Sequence, residues 1–167
     1  MKLKLFCLKA ALSGLFLFLT NYCEFKLSGA ANVNFTLCNG LCIYQGADWA
    51  VPVSISERTV SEGQITDTPV DLTGYTGSAA IKKYCGADQA IALPTVEITD
   101  AINGKILISL SAAETAALVV NGNTFRDVTT LVYDVYLTET ETGEISRILM
   151  GNIDVSPAVL DGDDING

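Results

Sequence analysis

The residues from Leu131 to Val155, LVYDVYLTETETGEISRILMGNIDV, constrain the fold more than any others in the chain. Leu131, Tyr133, Val135 and Leu137 alternate with Val132, Asp134, Tyr136 and Thr138. That is the period of a strand with one buried face. The TETETG stretch ends in Gly143, which supplies the positive φ that longer hairpin loops use. The return strand is expected to put Ile145, Leu149, Gly151, Ile153 and Val155 on one face, with Arg147 as a polar exception. Pro157 then marks a strand end. Such a hairpin buries nothing by itself, so a second layer must come from the rest of the chain.

Upstream residues supply strands of the same kind. Trp49, Val51, Val53 and Ile55 alternate with Ala50, Pro52, Ser54 and Ser56, and Pro52 argues for a sheet edge or a bulge. Two or three short strands are expected over 31–56, broken at Asn39-Gly40 and Gln45-Gly46. Further strands are expected over 78–84, 91–99 and 105–110. The polar stretch 58–68 reads as a loop, and 69–77 as turns in which Gly74 and Gly77 take conformations other residues avoid. Ser111-Ala-Ala-Glu114 is a capping box and predicts a connecting helix over 112–119, ended by Asn121-Gly122-Asn123. About seven short strands and one helical turn predict an all-β fold, an antiparallel immunoglobulin-like β-sandwich with one short connecting helix. The domain is expected over 31–160, with a flexible acidic tail over 161–167.

The first thirty residues read differently. A basic start, an apolar run from Ala10 to Leu19, and small residues at Ser28, Gly29 and Ala30 have the layout of a secretory signal peptide. The run is too short to predict a stable membrane anchor. The alternative is a mis-assigned leader. No methionine lies between Met1 and Met150, and the working chain would then begin near Val33 or Leu37.

Charge and composition narrow the chemistry. The net charge is −9, and residues 31–167 hold only Arg58, Lys82, Lys83, Lys105, Arg126 and Arg147 as bases. A body that acidic repels nucleic-acid backbones. The chain has no histidine, which removes the commonest general base and the commonest metal ligand. Cys38-x-x-x-Cys42 has no matching second pair for zinc. Cys38, Cys42 and Cys85 are expected as buried free thiols, although export would let Cys38 and Cys42, or Cys42 and Cys85, pair. DGDDING at residues 161–167 places Ile165 where a calcium loop needs an oxygen ligand. Asp48, Asp71, Asp134 and Asp154 are the only carboxylates worth weighing as an acid–base pair, and aspartates at turns and strand edges more often cap backbone. Asn34-Phe-Thr36 is a glycosylation sequon that matters only in a eukaryotic secretory route. Trp49 is expected in the core. No catalytic, cofactor-binding or metal-binding residue is therefore predicted.

Several blocks, taken in order, carry a resemblance. They are Gln45-Gly46-Ala47-Asp48-Trp49, Val70-Asp71-Leu72-Thr73-Gly74-Tyr75, and Gly104-Lys-Ile-Leu-Ile-Ser-Leu-Ser111. They continue with Glu114-Thr115-Ala116, Tyr133-Asp134-Val135, Arg147-Ile-Leu-Met-Gly151 and Val155-Ser-Pro157-Ala-Val159. From Tyr44 to Val159 their order and spacing resemble the N-terminal domain of tailed-phage baseplate upper proteins and related tail-fibre attachment domains. The resemblance implies a non-catalytic virion protein, a tail or baseplate adaptor assembled in the host cytoplasm. Its implied partners are other tail, baseplate, fibre or head-neck subunits and further copies of itself, with any fibre on a separate chain. The alternative reading accepts the leader and predicts a secreted bacterial adhesion or binding module of immunoglobulin-like fold.

Overall fold

The computed structural model describes residues 22–27, 41–61, 64–122, 124 and 126–158, with 22–27, 60 and 61 in backbone only. The fold is all-β, with two sheets sharing an apolar core. One sheet holds β1 (Tyr22–Leu27), β3 (Trp49–Ser61), β7 (Lys105–Leu110) and β6 (Thr95–Asp100) in that order, and β4 (Gln64–Pro69) also pairs with β3. The other runs β2 (Leu41–Tyr44), β9 (Ile145–Ser156), β8 (Thr129–Glu139), β5 (Tyr75–Lys82). The expected domain start at residue 31, the Asn34 sequon, Cys38 and the 161–167 tail lie outside the described residues. Of the expected leader, only β1 is described, and it pairs antiparallel with β3.

The hairpin of β8 and β9 forms as its alternation predicts. Leu131, Val135 and Leu137 are buried on β8, and Ile153 and Val155 on β9. A bulge corrects the expected face of the return strand. Val135 pairs with Leu149, but Tyr136 pairs with Arg147, so Ile148 is the extra residue. One added residue flips every side chain beyond it. Ile148 becomes core, and Ile145 and Arg147 turn outward, Ile145 to 66 % exposure. Arg147 is therefore not an exception on an inward face.

The side chains of the two sheets interlock in one cluster. Val53, Ile55, Ile106 and Ile108 come from one sheet, and Ala79, Val135, Leu137 and Ile148 from the other. A second cluster of Ile43, Ile81, Leu110, Leu118, Leu131, Ile153 and Val155 closes the end beneath α1 (Ala112–Ala116). Each fully buried Leu or Ile contributes about 1.5–3 kcal/mol of transfer free energy. The helix is shorter than expected and is more than a connector. Its capping box forms, while Thr115 and, just past its C-terminus, Leu118 are buried.

Other expectations are corrected. The pairing of β2 with β9 is parallel, not antiparallel. Alternation shows that Ile43 turns inward but says nothing about the direction of a partner strand. The stretch expected as a loop over 58–68 is instead an arm in which β3 and β4 pair from Ser56↔Pro69 to Ser61↔Gln64. All six residues of β4 are exposed, so no apolar alternation marked it. In place of a core, Arg58 makes a two-pronged ion pair with Asp67 directly across the arm, at 2.7 and 3.0 Å. The strand expected over 78–84 runs over 75–82, and that expected over 91–99 begins at Thr95. Gly77 sits inside β5, where a Cβ would lie 2.3 Å from Val96 Cγ1. The requirement at this position is space between the sheets rather than an unusual backbone angle.

Candidate docking surface

The sheet edges are treated in three ways. The β5 and β6 edges close on each other through the Gly77–Val96 approach. Beyond that point Ile81 continues the β5 ladder with Ala92 and Ile91, through bonds of 2.9 Å and 2.7 Å. The outer edge of β3 is covered by β1 over Val53–Arg58 only. Pro52 lies just past that cover. Ile55 donates to Gly104 O and accepts from Val70, so odd residues of β3 direct their backbone bonds toward β7 and β4. Even residues therefore face the β1 side, and the missing N–H of Pro52 falls where no described strand pairs. The edge expectation for Pro52 holds in this sense. The outer edge of β4 has no described strand partner, and Ile65 there is 63 % exposed. Asp67 and Pro69 are the features that restrain unselective pairing along it.

One end of the molecule is tied by a knot of side-chain bonds. Gln45 donates from Nε2 to Leu118 O at 2.8 Å and to Ala116 O at 3.3 Å. Its Oε1 accepts from the Ala158 amide at 3.2 Å. Asp48 accepts from the Ala112 amide at 2.7 Å, at the start of α1. Buried Thr115 donates to Ala47 O at 2.8 Å. The turn from β2 to β3, the helix and the end of β9 are thereby fixed together.

The four aspartates weighed for acid–base chemistry are not brought together as a pair by any bond described. Asp48 caps α1. Asp71 accepts from the Thr73 hydroxyl at 2.6 Å and its amide at 2.8 Å, and those bonds, the hydroxyl foremost, hold its carboxyl below the usual range. Asp134 accepts from Tyr136 Oη at 3.0 Å, and buried Asp154 accepts from Thr130 Oγ1 at 2.6 Å. Asp100 is lowered chiefly by the Asn103 side chain, and Glu114 by the Ser111 backbone amide of the capping box. Burial pushes the Tyr133 hydroxyl up.

The cysteines correct the expectation of buried free thiols. Cys85 is free and exposed, and Cys42 is disulfide-bonded to a cysteine whose side chain lies outside those described. Among the described residues no three His, Cys, Asp or Glu side chains gather as metal ligands, and no helix is long and apolar enough to cross a membrane. Trp49 is half-buried and lines an apolar cavity of about 110 Å³ between the sheets, with Val51, Ala79, Tyr133, Leu149 and Ile153. That wall offers a guest dispersion contacts and little polar recognition.

The Arg58–Asp67 arm and the clamp made by Gln45 are the surface-forming features that residue patterning missed. A signal for the arm exists: opposite charges lie at equal distances on either side of Glu62-Gly63. For Gln45 the turn signal was legible, but not its bonds to a helix 71 and 73 residues away. No protein-family model matches the chain, and no curated protein matches it.

Proposed function

We propose that the chain is a non-catalytic structural module of a tailed-phage virion, a sandwich of immunoglobulin-like type that joins tail or baseplate subunits through its sheet edges. The observation that supports this reading is the knot at the β2–β3 turn. Gln45, Ala47 and Asp48 come from the first resemblance block, Thr115 and Ala116 from the fourth, and Ala158 from the last. Residues of these blocks 68 to 113 positions apart meet in direct hydrogen bonds. Spacing that builds one physical unit is harder to reach by chance than a set of unrelated short matches. The exposed arm and the acidic surface then suit docking to a basic face on a neighbouring subunit.

The experiment is immunogold labelling. Antibodies raised against the purified chain should decorate the tails of particles produced by cells carrying the gene, and soluble chain should compete. Label on the cell envelope or in the medium, with bare particles, would overturn the proposal. A second reading, an exported binding module, is favoured by one observation, the disulfide at Cys42, because such bonds persist in oxidising compartments. That reading predicts the protein in the secreted fraction with an oxidised Cys42.

A further inference from the structure

We infer that Asn121–Gly122 is a site of spontaneous covalent modification, where the chain passes through a cyclic imide to aspartate and isoaspartate, and that the fold shields the equivalent pair Asn103–Gly104. The inference stands on local geometry and not on the virion reading.

The reaction needs a carboxamide and the backbone nitrogen of the next residue. The Gly122 nitrogen attacks Cγ of Asn121, a C–N bond forms, the nitrogen loses its proton, and the side-chain amide leaves as ammonia. Water then opens the five-membered imide at either carbonyl. One opening gives aspartate. The other gives isoaspartate, with the main chain running through the former side chain. Glycine in second place favours the attack because it has no Cβ to obstruct its nitrogen or restrict its rotation. A neutral amide becomes a carboxylate, so each conversion makes the net charge of −9 one unit more negative.

Four Asn-Gly pairs occur in the chain, and two of them, 39–40 and 166–167, lie outside the described residues. The other two have similar flanks, Ile102-Asn-Gly and Val120-Asn-Gly, so the preceding residue gives little reason for different rates. Their surroundings do. Gly104 is buried, and its amide donates to Ala101 O at 3.1 Å while its carbonyl accepts from Ile55 at 2.8 Å. Asn103 is clasped by Asp100, through its amide at 3.2 Å and its Nδ2 at 2.8 Å. Backbone carbonyls of Ile55 and Val70 crowd Gly104 on the remaining side. The nucleophile and the carboxamide are thus both engaged, and the backbone cannot turn to bring them together. At the second pair the Asn121 amide donates to Thr129 Oγ1 at 2.8 Å, but neither its carboxamide nor the Gly122 amide has a hydrogen-bond partner among the described residues. Both residues are exposed, so water reaches the imide. Conversion adds a negative charge to a turn that already holds Asp127.

The test ages the full-length wild-type protein in warm, mildly alkaline buffer made with heavy-oxygen water, beside a second sample kept unfolded in urea. The label marks carboxyls formed during ageing. Both samples are digested under mild acid and followed by peptide mass spectrometry. In the folded protein residue 121 should convert about tenfold or more faster than residue 103, because attack at Asn103 must first break the Gly104 and Asp100 bonds. In urea the two rates should converge. Folded-state conversion at 121 no faster than at 103 overturns the inference, as does an Asn121 that stays intact while the urea sample converts. A rate ratio that persists unchanged in urea overturns the shielding, since flanking sequence would then account for it.

Discussion

Gly104→Ala tests the junction on which the larger sheet is built. Gly104 has φ +65°, and an added Cβ would stand 2.4 Å from Ile55 O and 2.8 Å from Val70 O, both backbone atoms that cannot rotate away. Ile55 is where β3 passes from pairing with β7 to pairing with β4, through Ile55 N to Gly104 O at 2.8 Å and Val70 N to Ile55 O at 3.1 Å. Placing alanine in the left-handed region costs about 1 kcal/mol. Relieving the clash stretches both bonds, at about 1 kcal/mol each. The expected loss is about 3 kcal/mol, a large share of the 5–15 kcal/mol that holds a domain together. Gly143→Ala is the matched control. Its φ is +72° but nothing lies within 4 Å of the new Cβ, so only the conformational cost of about 1 kcal/mol applies. Urea unfolding followed by the fluorescence of Trp49, the single tryptophan, measures both variants. Equal losses in the two would refute the assignment of Gly104 to a crowded backbone junction.

Thr115→Val removes a buried hydroxyl from Ala47 O and should cost about 1–3 kcal/mol in urea unfolding, while Thr115→Ser should retain most of the stability. Ala79→Val adds methyl groups at the wall of the 110 Å³ cavity and should raise the urea midpoint, by up to about 1 kcal/mol in stability. Acid should destabilise the fold. Asp71, Asp100 and Glu114 have folded-state pKa values depressed below their unfolded ones. Their contribution is fully present above the unfolded carboxylate range and is lost as pH falls through the folded values, so urea midpoints should drop below about pH 4. Asp71→Asn should flatten that fall. Finally, binding of the chain to isolated tails should weaken as salt rises, since an acidic surface meeting a basic one is screened. Salt-independent binding in a pull-down series would remove charge from the docking account.

How much of this structure could be read from residues follows from what each element buries. The β8–β9 hairpin and β7 each set one face against the core, so period-2 patterning placed them almost to the residue. The capping box at Ser111 and Glu114 is a local device, and the helix start was legible for the same reason. The β3–β4 arm buries neither face, so patterning had nothing to register and a loop was the natural expectation. The Ile148 bulge is decided by packing across two strands, and single-strand alternation could not reveal the flip on the N-terminal side of Leu149. The parallel partner of β2 and the bonds of Gln45 depend on segments more than seventy residues away. Of the four aspartates, Asp71 caps a backbone amide two residues on and was legible as such, and Asp48 caps one 64 residues away, whereas Asp134 and Asp154 lie within strands and accept from the Tyr136 and Thr130 hydroxyls.

The distribution of edges bears on how such a chain avoids aggregating. An open strand edge is a template for any other strand, and unselective pairing leads to insoluble chains. Here β5 and β6 cannot accept a strand where they meet, because Gly77 and Val96 bring them together. The β3 edge is limited by Pro52 on one side and occupied from Val53 to Arg58 by β1. Among the described residues the outer sides of β1, β2 and β4 have no further strand partner, and on β4 the Arg58–Asp67 pair fixes the arm's register with a polar contact. Net charge of −9 opposes approach of like surfaces over distances of about 8–10 Å at ordinary salt. Charge and covered edges thus both act against indiscriminate strand pairing.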